Sequence, residues 1–268
     1  MNDHLLTGRV AVLLGGGGSI GGACARALAS AGARIAVLDR DGETATKIAA
    51  PLGGSAFQTD CGDEGALRDA CGAIEAQLGG VDILINASAV FHSLIPATSF
   101  PMHKWDEVIR INQRGAFTAC RIFGEAMVRR RSGVIVTIAS VAGLRSFPLH
   151  AYAAAKAAVI AMSTNLAVEW GMFGIRVNTL SPGFTRTPAV AAAIASGETS
   201  EQPILAGTPL GRLVEPDEVA NAALFLVSPA ASAITGIDLP VDCGWLAGAS
   251  WQAYGGLAAL QAADGART

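Results

Sequence analysis

The fold of this chain is decided by the stretch Val10-Ala11-Val12-Leu13-Leu14-Gly15-Gly16-Gly17-Gly18-Ser19-Ile20-Gly21-Gly22. Its first five residues are all apolar, which is typical of a strand that is buried on both faces of a parallel sheet. The glycines that follow permit a tight turn, and helical spacing of apolar residues continues through residues 20–30. A strand, a glycine-rich turn and a helix in this order predict the start of a βαβ unit.

The same alternation of strand and helix patterns continues along the rest of the chain. Apolar and β-branched runs predict further strands at residues 34–38, 55–58, 81–85, 134–138, 176–180 and 237–241. Helical spacing predicts helices at residues 66–77, 105–130 and 152–170. The chain is therefore predicted to be an α/β protein with one doubly wound parallel sheet, a Rossmann fold of about seven strands with helices on both faces. We expect the strand order 3-2-1-4-5-6-7, with Pro240 confined to an edge strand.

Composition and length are consistent with one large domain. Hydrophobic residues make up 51% of the 268 residues and charged residues 15%, which is enough apolar material for a large core. No linker or repeat divides the chain, so residues 1–268 are predicted to form a single domain, with 246–268 as a C-terminal extension. Residues 191–207, a polar interruption with glycine and proline, are long enough to form a lid.

Charge and cysteine content argue against several classes of protein. The net charge of −3 gives no reason to expect a nucleic-acid or anionic-membrane partner. The start of the chain lacks the pattern of a signal peptide, and the uncharged stretches 219–237 and 244–263 are too polar to span a bilayer. The five cysteines have no Cys-x-x-Cys pair, so we expect reduced thiols in a cytoplasmic protein and no metal site.

The glycine-rich turn is a candidate cradle for a dinucleotide. Glycine lets the backbone approach a pyrophosphate closely, and the start of the following helix offers free N–H groups and a positive dipole end. Asp39 ends the second predicted strand, where a carboxylate would accept hydrogen bonds from an adenosine ribose. A plain flexible turn and a solvated aspartate are the alternative interpretations.

Tyr152 and Lys156 are a candidate acid–base pair. They are four residues apart near the start of a predicted helix and therefore share one face. A nearby lysine cation lowers the pKa of a tyrosine by stabilising the phenolate. Such a pair can exchange a proton with an alcohol or a ketone. The Tyr-x-x-x-Lys spacing alone is common on helix surfaces, so its weight depends on the other motifs.

Those other motifs are similar to the short-chain dehydrogenase/reductase family over residues 5–245. Gly15 to Gly21 resembles the family's Thr-Gly-x-x-x-Gly-Ile-Gly loop, and the segment from Pro182 to Thr187 resembles its nicotinamide loop. Arg212, Pro216, Glu218 and the ending Val241-Asp242-Cys243-Gly244-Trp245 resemble the C-terminal signature, with Cys243 in a glycine place.

The resemblance implies specific roles for residues at matching positions. It implies a catalytic tetrad, in which Tyr152 passes the proton, Ser140 polarises the substrate oxygen, Lys156 binds the nicotinamide ribose, and Asn112 bends its helix and holds a water. It also implies a set of cofactor-binding residues, which are Gly15, Ser19, Ile20, Gly21, Asp39, Asp60, Cys61, Asn86, Tyr152, Lys156, Pro182, Gly183, Thr185 and Thr187.

The resulting hypothesis is an NAD(H)-dependent oxidoreductase that acts on a secondary alcohol or ketone. Asp39 would repel the 2′-phosphate of NADP, and Gly18 offers no side chain to bind it, whereas Arg40 is the counter-indication. A 3-oxoacyl thioester reductase would share every motif, and a dinucleotide-binding sensor without catalysis is a remote alternative. The resemblance also implies a homotetramer with a small-molecule substrate.

The C-terminal extension carries one further prediction. Trp251, Tyr254, Leu257 and Leu260 recur every three residues, as in the apolar stripe of a helix. We expect this stripe to pack on a neighbouring subunit, and a dispensable end is the alternative. His92 and His150 are predicted to lie in loops that border the substrate, although neither the residue type nor the spacing assigns them a role.

Overall fold

The structure, a computed structural model, describes residues 5–256 and 259 and contains one parallel sheet. Its strands are β1 (Val10–Leu14), β2 (Arg34–Asp39), β3 (Ser55–Gln58), β4 (Ile83–Asn86), β5 (Gly133–Ile138), β6 (Ile175–Pro182) and β7 (Asp238–Val241). Every pairing between neighbours is parallel, and the order is β3-β2-β1-β4-β5-β6-β7. The predicted doubly wound sheet and its strand order are confirmed, and Pro240 lies in the edge strand β7.

The helices that flank the sheet begin close to the predicted positions. In the described residues they are α1 (Ser19–Ser30), α2 (Gly42–Ala49), α3 (Glu64–Leu78), α4 (Met102–Ile109), α5 (Ala116–Arg130), α6 (His150–Gly171), α7 (Pro188–Ala195), α8 (Glu201–Ala206), α9 (Pro216–Val227) and α10 (Trp245–Gly248). The helix predicted at 66–77 is longer at its start because the Asp63 side chain accepts a hydrogen bond from the Ala66 N–H and caps it.

Two predictions about the helices need correction. The helix expected over residues 105–130 is not regular, because a π-helical turn at Arg110–Gly115 joins α4 to α5. A π-turn adds one residue to a helical turn and is often found at functional sites. The interruption at residues 191–207 is not irregular throughout, since it contains the end of α7 and all of α8.

Alternating strand residues supply two hydrophobic cores, one on each face of the sheet. Ala11 and Leu13 of β1 pack with residues of α1 and α9 on one face. Val10 and Val12 pack with residues of α3, α5 and α6 on the other face. Because successive side chains of a strand point to opposite faces, a strand between two helical layers must be apolar throughout. This requirement accounts for the continuous apolar run of β1.

Among the described helices, α6 has the length and apolar composition of a membrane span. The core helix of a globular domain has the same properties. Here α6 packs against β6 and α5, and buried residues of α6 include Ala155, Val159 and Leu166. Burial against the sheet therefore accounts for part of the apolar composition of α6.

The C-terminal extension differs from the predicted single stripe. After α10, a 3₁₀ segment spans Ala249–Tyr254, and Gly255 follows with a φ of 87°. This left-handed backbone interrupts the helical repeat. Trp251 and Tyr254 are exposed, whereas Leu257 and Leu260 lie outside the described residues.

Candidate active site

The glycine loop between β1 and α1 has the close packing that a cradle requires. A Cβ on Gly15, whose φ is 72°, would lie 2.6 Å from the backbone nitrogen of Ser88. A Cβ on Gly21 would overlap the carbonyl oxygen of Gly15. No side chain caps the start of α1, so the first N–H groups of this helix face the loop. The loop can therefore hold an anion at a helix N-terminus.

Asp39 lies at the end of β2 beside this loop. One of its carboxylate oxygens accepts a hydrogen bond from the Gly17 N–H at 3.0 Å, and the other accepts from the Asp41 N–H at 3.1 Å. These bonds fix the carboxylate next to the glycine turn. Arg40, the neighbouring residue, is exposed.

Asp60 and Cys61 follow β3 on the same edge of the sheet. Asp60 accepts a hydrogen bond from the Gly62 N–H at 2.8 Å and lies 3.4 Å from the Arg110 guanidinium. Cys61 is buried, and burial raises the pKa of its thiol. Cys61 therefore stays a thiol and is not a reactive nucleophile in this environment.

Asn86, which ends β4, is 1% exposed. Its side-chain oxygen accepts hydrogen bonds from the Ser88 hydroxyl at 2.7 Å and from the Ser88 N–H at 3.2 Å. Its side-chain nitrogen has no partner among the described residues. Ala87 still donates its N–H to the Leu14 carbonyl at 2.8 Å, so the alanine at this place keeps the turn attached to β1.

Asn112 lies in the π-turn and is 1% exposed. Its side chain makes both hydrogen bonds with one residue: the oxygen accepts from the Val90 N–H and the nitrogen donates to the Val90 carbonyl, each at 2.8 Å. The expected bend at Asn112 is present as the π-turn. These two hydrogen bonds attach the Asn112 side chain to the loop after β4, which carries Phe91 and His92.

Ser140, Tyr152 and Lys156 come together where β5 ends and α6 begins. The pKa of Tyr152 is raised to about 12 by burial, which a hydrogen bond with Ser140 partly offsets. Lys156 donates a hydrogen bond to the Ile138 carbonyl at 2.7 Å, and its Nζ lies 5.6 Å from the centre of the tyrosine ring. Burial lowers the pKa of Lys156 to about 8.

The pKa of Tyr152 is raised in the protein alone, whereas a nearby lysine by itself would lower it. Both side chains are buried, and removal from water disfavours the charged form of each one. Burial therefore raises the pKa of Tyr152 and lowers the pKa of Lys156 in the protein alone.

The segment after β6 forms another wall. Pro182 and Thr185 are buried, and the Thr185 hydroxyl donates to the Gly183 carbonyl at 3.0 Å. A Cβ on Gly183 would lie 2.9 Å from the Cα of Asp242, so the chain passes too close to the end of β7 for a side chain. Thr187 caps α7 by accepting a hydrogen bond from the Val190 N–H at 3.3 Å.

One cavity of about 790 Å³ connects the glycine loop, the catalytic candidates and this wall. The predicted residues that line it are Ser19, Ile20, Gly21, Ser140, Tyr152, Lys156, Pro182, Gly183, Thr185 and Thr187. The remaining predicted residues do not line it and support its walls or lie at its edge: Gly15, Asp39, Asp60, Cys61, Asn86 and Asn112.

Several residues that line the cavity were not among the predicted site residues. Ala193, Glu198 and Thr199 come from the predicted lid at residues 191–207, Val190 lies just before it, and Trp245 comes from the start of α10. Their position after β6 was the available sequence signal, because loops at the carboxyl ends of parallel strands border the ligand site of such a sheet. His92 also lines the cavity, whereas His150 does not line it and begins α6 instead of lying in a loop.

The residues present fit a nicotinamide dinucleotide. The glycine loop leaves room at the start of α1, and Asp39 stands beside it with a carboxylate. The cavity then continues to Tyr152 and Lys156, over a volume suited to a cofactor and a small substrate.

Comparison with known proteins agrees with this geometry. A family model described as enoyl-(acyl carrier protein) reductase matches residues 16–246. The chain is 39% identical over 251 residues to D-threitol dehydrogenase from Mycolicibacterium smegmatis, covering 91% of this chain and 95% of the relative. It is also 39% identical over 249 residues to galactitol 2-dehydrogenase from Rhizobium johnstonii, covering 90% and 96%.

Solved structures have the same fold over nearly their full lengths. A crystal structure described as ribose-5-phosphate isomerase from Brucella melitensis is 43% identical, covers 96% of this chain and 99% of its own, and has a TM-score of 0.93. Another, described as a short chain dehydrogenase/reductase family protein, is 34% identical, covers 90% and 99%, and has a TM-score of 0.81. The chain therefore belongs to the short-chain dehydrogenase/reductase family, as an oxidoreductase that uses a nicotinamide cofactor and acts on secondary alcohols and ketones.

Proposed function

We propose that this chain oxidises a polyol or diol at one secondary hydroxyl and prefers NAD⁺ to NADP⁺. The observation that carries the proposal is the single cavity that joins the glycine loop to the buried pair of Tyr152 and Lys156. The relatives named for threitol and galactitol support a polyol substrate, and further relatives are named as diol dehydrogenases.

The charge of the cavity supports a neutral substrate. Among the described residues that line it, Lys156 is the only lysine or arginine, and Glu198 adds a negative charge. Arg186 is a cation that could bind an anionic substrate, but its guanidinium is paired with the Glu215 carboxylate at 2.8 Å. An acyl thioester on a phosphorylated carrier, or a sugar phosphate, would need cations at the mouth. The site therefore favours a polyol over the 3-oxoacyl thioester alternative.

The roles of the catalytic candidates follow from their contacts. A bound nicotinamide supplies the acceptor or donor of the hydride. Tyr152, with a pKa of about 12, is a neutral phenol at neutral pH and can give its proton to a carbonyl oxygen. In the oxidative direction it receives the proton of the substrate hydroxyl, and the nearby ammonium of Lys156 stabilises the phenolate that this requires. Ser140 hydrogen-bonds the same oxygen, and Asn112 fixes the loop of Val90.

Asp39 supports the preference for NAD⁺. Its carboxylate is fixed beside the glycine loop, where it can accept hydrogen bonds from the ribose hydroxyls and repel a 2′-phosphate. Arg40 is exposed and could approach a 2′-phosphate, but it cannot remove the negative charge of Asp39.

Exposed apolar side chains support a homotetramer. Val168 is 80% exposed on α6, Met172 is 73% exposed just beyond it, and Phe117 is 40% exposed on α5. Large apolar side chains grouped on neighbouring helices are commonly covered by another subunit. We propose further that the protein works in the cytoplasm, where its buried cysteines stay reduced.

A substrate panel tests the proposed activity. Secondary alcohols, polyols, sugars, steroids and acyl thioesters are compared by the change in absorbance of the reduced cofactor. We expect the highest kcat/KM for a polyol or diol with NAD⁺. Reduction of an acyl thioester with NADPH, without oxidation of any polyol, would establish the alternative instead.

Tyr152→Phe is the matched control for the panel, because it removes only the hydroxyl. We expect kcat to fall by about 10²–10⁴-fold, while the dissociation constant of NADH changes little. Retention of more than about one percent of the activity would remove Tyr152 from its assigned role.

A further inference from the structure

Aromatic side chains form much of the cavity wall beyond the catalytic residues. The segments after four neighbouring strands each contribute one ring to it: Phe91 after β4, Phe147 after β5, Phe184 after β6 and Trp245 after β7. Phe91 is 56% exposed and the other three are half-buried. Each ring therefore keeps surface that a molecule bound in the cavity can cover.

Three of these rings form a continuous row. The ring centroids of Phe147 and Phe184 are 6.0 Å apart, and those of Phe184 and Trp245 are 5.8 Å apart. Separations of this size are typical of aromatic pairs that pack on each other. The fourth ring, that of Phe91, lies 4.8 Å from the ring of Tyr152 at an interplanar angle of 30°. Apolar surface therefore lies directly beside the catalytic tyrosine.

Most polar side chains that line the cavity already have a proposed role. Six belong to the predicted catalytic and cofactor-binding residues: Ser19, Ser140, Tyr152, Lys156, Thr185 and Thr187. Of the other hydroxyl and carboxylate side chains in the described wall, Ser146 and Glu198 are exposed to solvent, and Thr199 is half-buried. Few groups are thus left to bind further hydroxyls of a substrate.

His92 also lines the cavity but has no nitrogen to offer a substrate. Its Nδ1 lies 2.8 Å from the Ser93 carbonyl oxygen, which can only accept a hydrogen bond, so Nδ1 donates there. Its Nε2 is buried and has no partner within the part of the chain that the structure describes. The ring packs edge-on against Phe100 at 4.8 Å between centroids, which holds it in this position. His92 therefore adds ring carbon atoms to the wall and no hydrogen-bonding group.

Such a wall treats two kinds of neutral alcohol differently. An open-chain polyol carries a hydroxyl on every carbon, and each hydroxyl that leaves water needs a new partner. The ring faces of Phe147, Phe184 and Trp245 provide none. A carbon ring without further hydroxyls gains from leaving water, and its flat shape fits the aromatic faces.

We propose that the two hydroxyls of the substrate are carried on an apolar carbon ring, and that this ring packs on Phe147, Phe184 and Trp245. The inference rests on the proposed function and narrows it from polyols and diols in general to cyclic diols. Tyr152 carries the proton transfer, so the three aromatic residues are specificity-determining residues.

The test compares three diols or polyols with six carbons. 1,2-Cyclohexanediol has the apolar ring, myo-inositol has the same ring with a hydroxyl on every carbon, and 3,4-hexanediol has the same adjacent hydroxyls without a ring. In the unmutated protein we expect kcat/KM for 1,2-cyclohexanediol to exceed that for myo-inositol at least about tenfold, and to exceed that for 3,4-hexanediol as well.

Variants of Trp245 connect this ranking to the aromatic wall. Trp245→Ser removes the ring, whereas Trp245→Phe keeps an aromatic ring and removes the indole N–H. Trp251→Ser is the matched control, because Trp251 is 47% exposed and does not line the cavity. Trp245→Ser should lower the ratio of kcat/KM for 1,2-cyclohexanediol to that for myo-inositol at least about fivefold, mainly through KM. Trp245→Phe should keep most of the ratio, and Trp251→Ser should leave it unchanged.

The inference is wrong if myo-inositol or 3,4-hexanediol reacts with an equal or higher kcat/KM in the unmutated protein. It is also wrong if a folded Trp245→Ser, checked by its melting temperature, keeps the ratio, or if Trp251→Ser lowers it equally. The ranking in the unmutated protein decides the inference even if Trp245→Ser does not fold. All these outcomes leave the proposed function intact, because a diol or polyol is still oxidised. Failure to oxidise any diol or polyol with NAD⁺ or NADP⁺ would instead count against the proposed function itself.

Discussion

Replacement of Asp39 by asparagine is expected to remove most of the discrimination between NAD⁺ and NADP⁺. The carboxylate is held beside the glycine loop by the N–H groups of Gly17 and Asp41. Two like charges about 4 Å apart repel by about 1 kcal/mol in water and by about 4 kcal/mol at an effective dielectric constant of 20. The unmutated protein should therefore favour NAD⁺ at least about tenfold in kcat/KM, which corresponds to about 1.4 kcal/mol.

Asparagine is a closer replacement than alanine because it keeps one acceptor oxygen and loses the charge. One of the two backbone hydrogen bonds is still lost, at a cost of about 0.5–1.5 kcal/mol of folding stability. That loss would lower the melting temperature by only a few degrees, at about 2–4 °C per kcal/mol in a protein of this size. The variant should therefore remain folded, and its cofactor kinetics can be compared directly.

Gly18 offers a second substitution that acts on the same preference. A Cβ at Gly18 would be 3.4 Å from the nearest atom, the Gly15 carbonyl oxygen, and the residue has an ordinary φ of −72°. Gly18→Arg is therefore accommodated and places a guanidinium where it can bind a phosphate. We expect the double variant with Asp39→Asn to prefer NADP⁺.

The assay measures kcat/KM for both cofactors and their dissociation constants by fluorescence titration. Arg40→Ala is the control for the competing explanation, in which Arg40 binds the phosphate. Equal use of both cofactors by the unmutated protein would refute the reasoning. So would loss of NADP⁺ activity in Arg40→Ala together with an unchanged preference in Asp39→Asn.

Four further predictions follow from other parts of the site and fold. Because burial raises the pKa of Tyr152 to about 12, kcat/KM for oxidation should rise with pH as the phenolate forms, and a value that does not change with pH would contradict this prediction. Asn112→Ala loses both hydrogen bonds to the loop after β4, so we expect kcat/KM to fall at least about tenfold, and an unchanged value would separate the π-turn from activity. Cys243 has a φ of 54°, so Cys243→Gly should relieve about 1 kcal/mol and raise the melting temperature by about 2–4 °C in a thermal scan. Deletion of residues 248–268 should lower the melting temperature and shift light scattering from the proposed tetramer to a smaller species, whereas unchanged stability and kinetics would show that the end is dispensable.

The sheet was predictable because its determinants are local. Each strand between two helical layers reads as a short apolar run, and each turn at the carboxyl edge carries glycine or polar residues. The strand order then follows from the rules for connecting parallel strands. The bounds shift only slightly: β4 begins at Ile83 and not at residue 81, although the backbone of Asp82 is already hydrogen-bonded to Val10 and Val134 of the neighbouring strands.

Other properties depend on burial and could not be read from the sequence. The spacing of Tyr152 and Lys156 indicates that they share a helix face, but the opposite pKa shifts arise because both are removed from water. The partner of Asn112 is 22 residues away, and the tautomer of His92 is set by a carbonyl that the local sequence does not single out. Only the folded chain brings such groups together.

The proline in the edge strand limits how copies of this chain can associate. Thr179 of β6 and Gly183 just after it donate to the carbonyls of Ile237, just before β7, and Val241, so the odd-numbered residues along β7 face β6. The nitrogen of Pro240 consequently points to the open side of the sheet, where it has no hydrogen to donate. A strand from a second copy would therefore lose a ladder hydrogen bond at Pro240, which disfavours a continuous sheet across this edge. Any assembly that uses this side must be held by side chains, which permits a defined number of subunits and discourages open-ended growth.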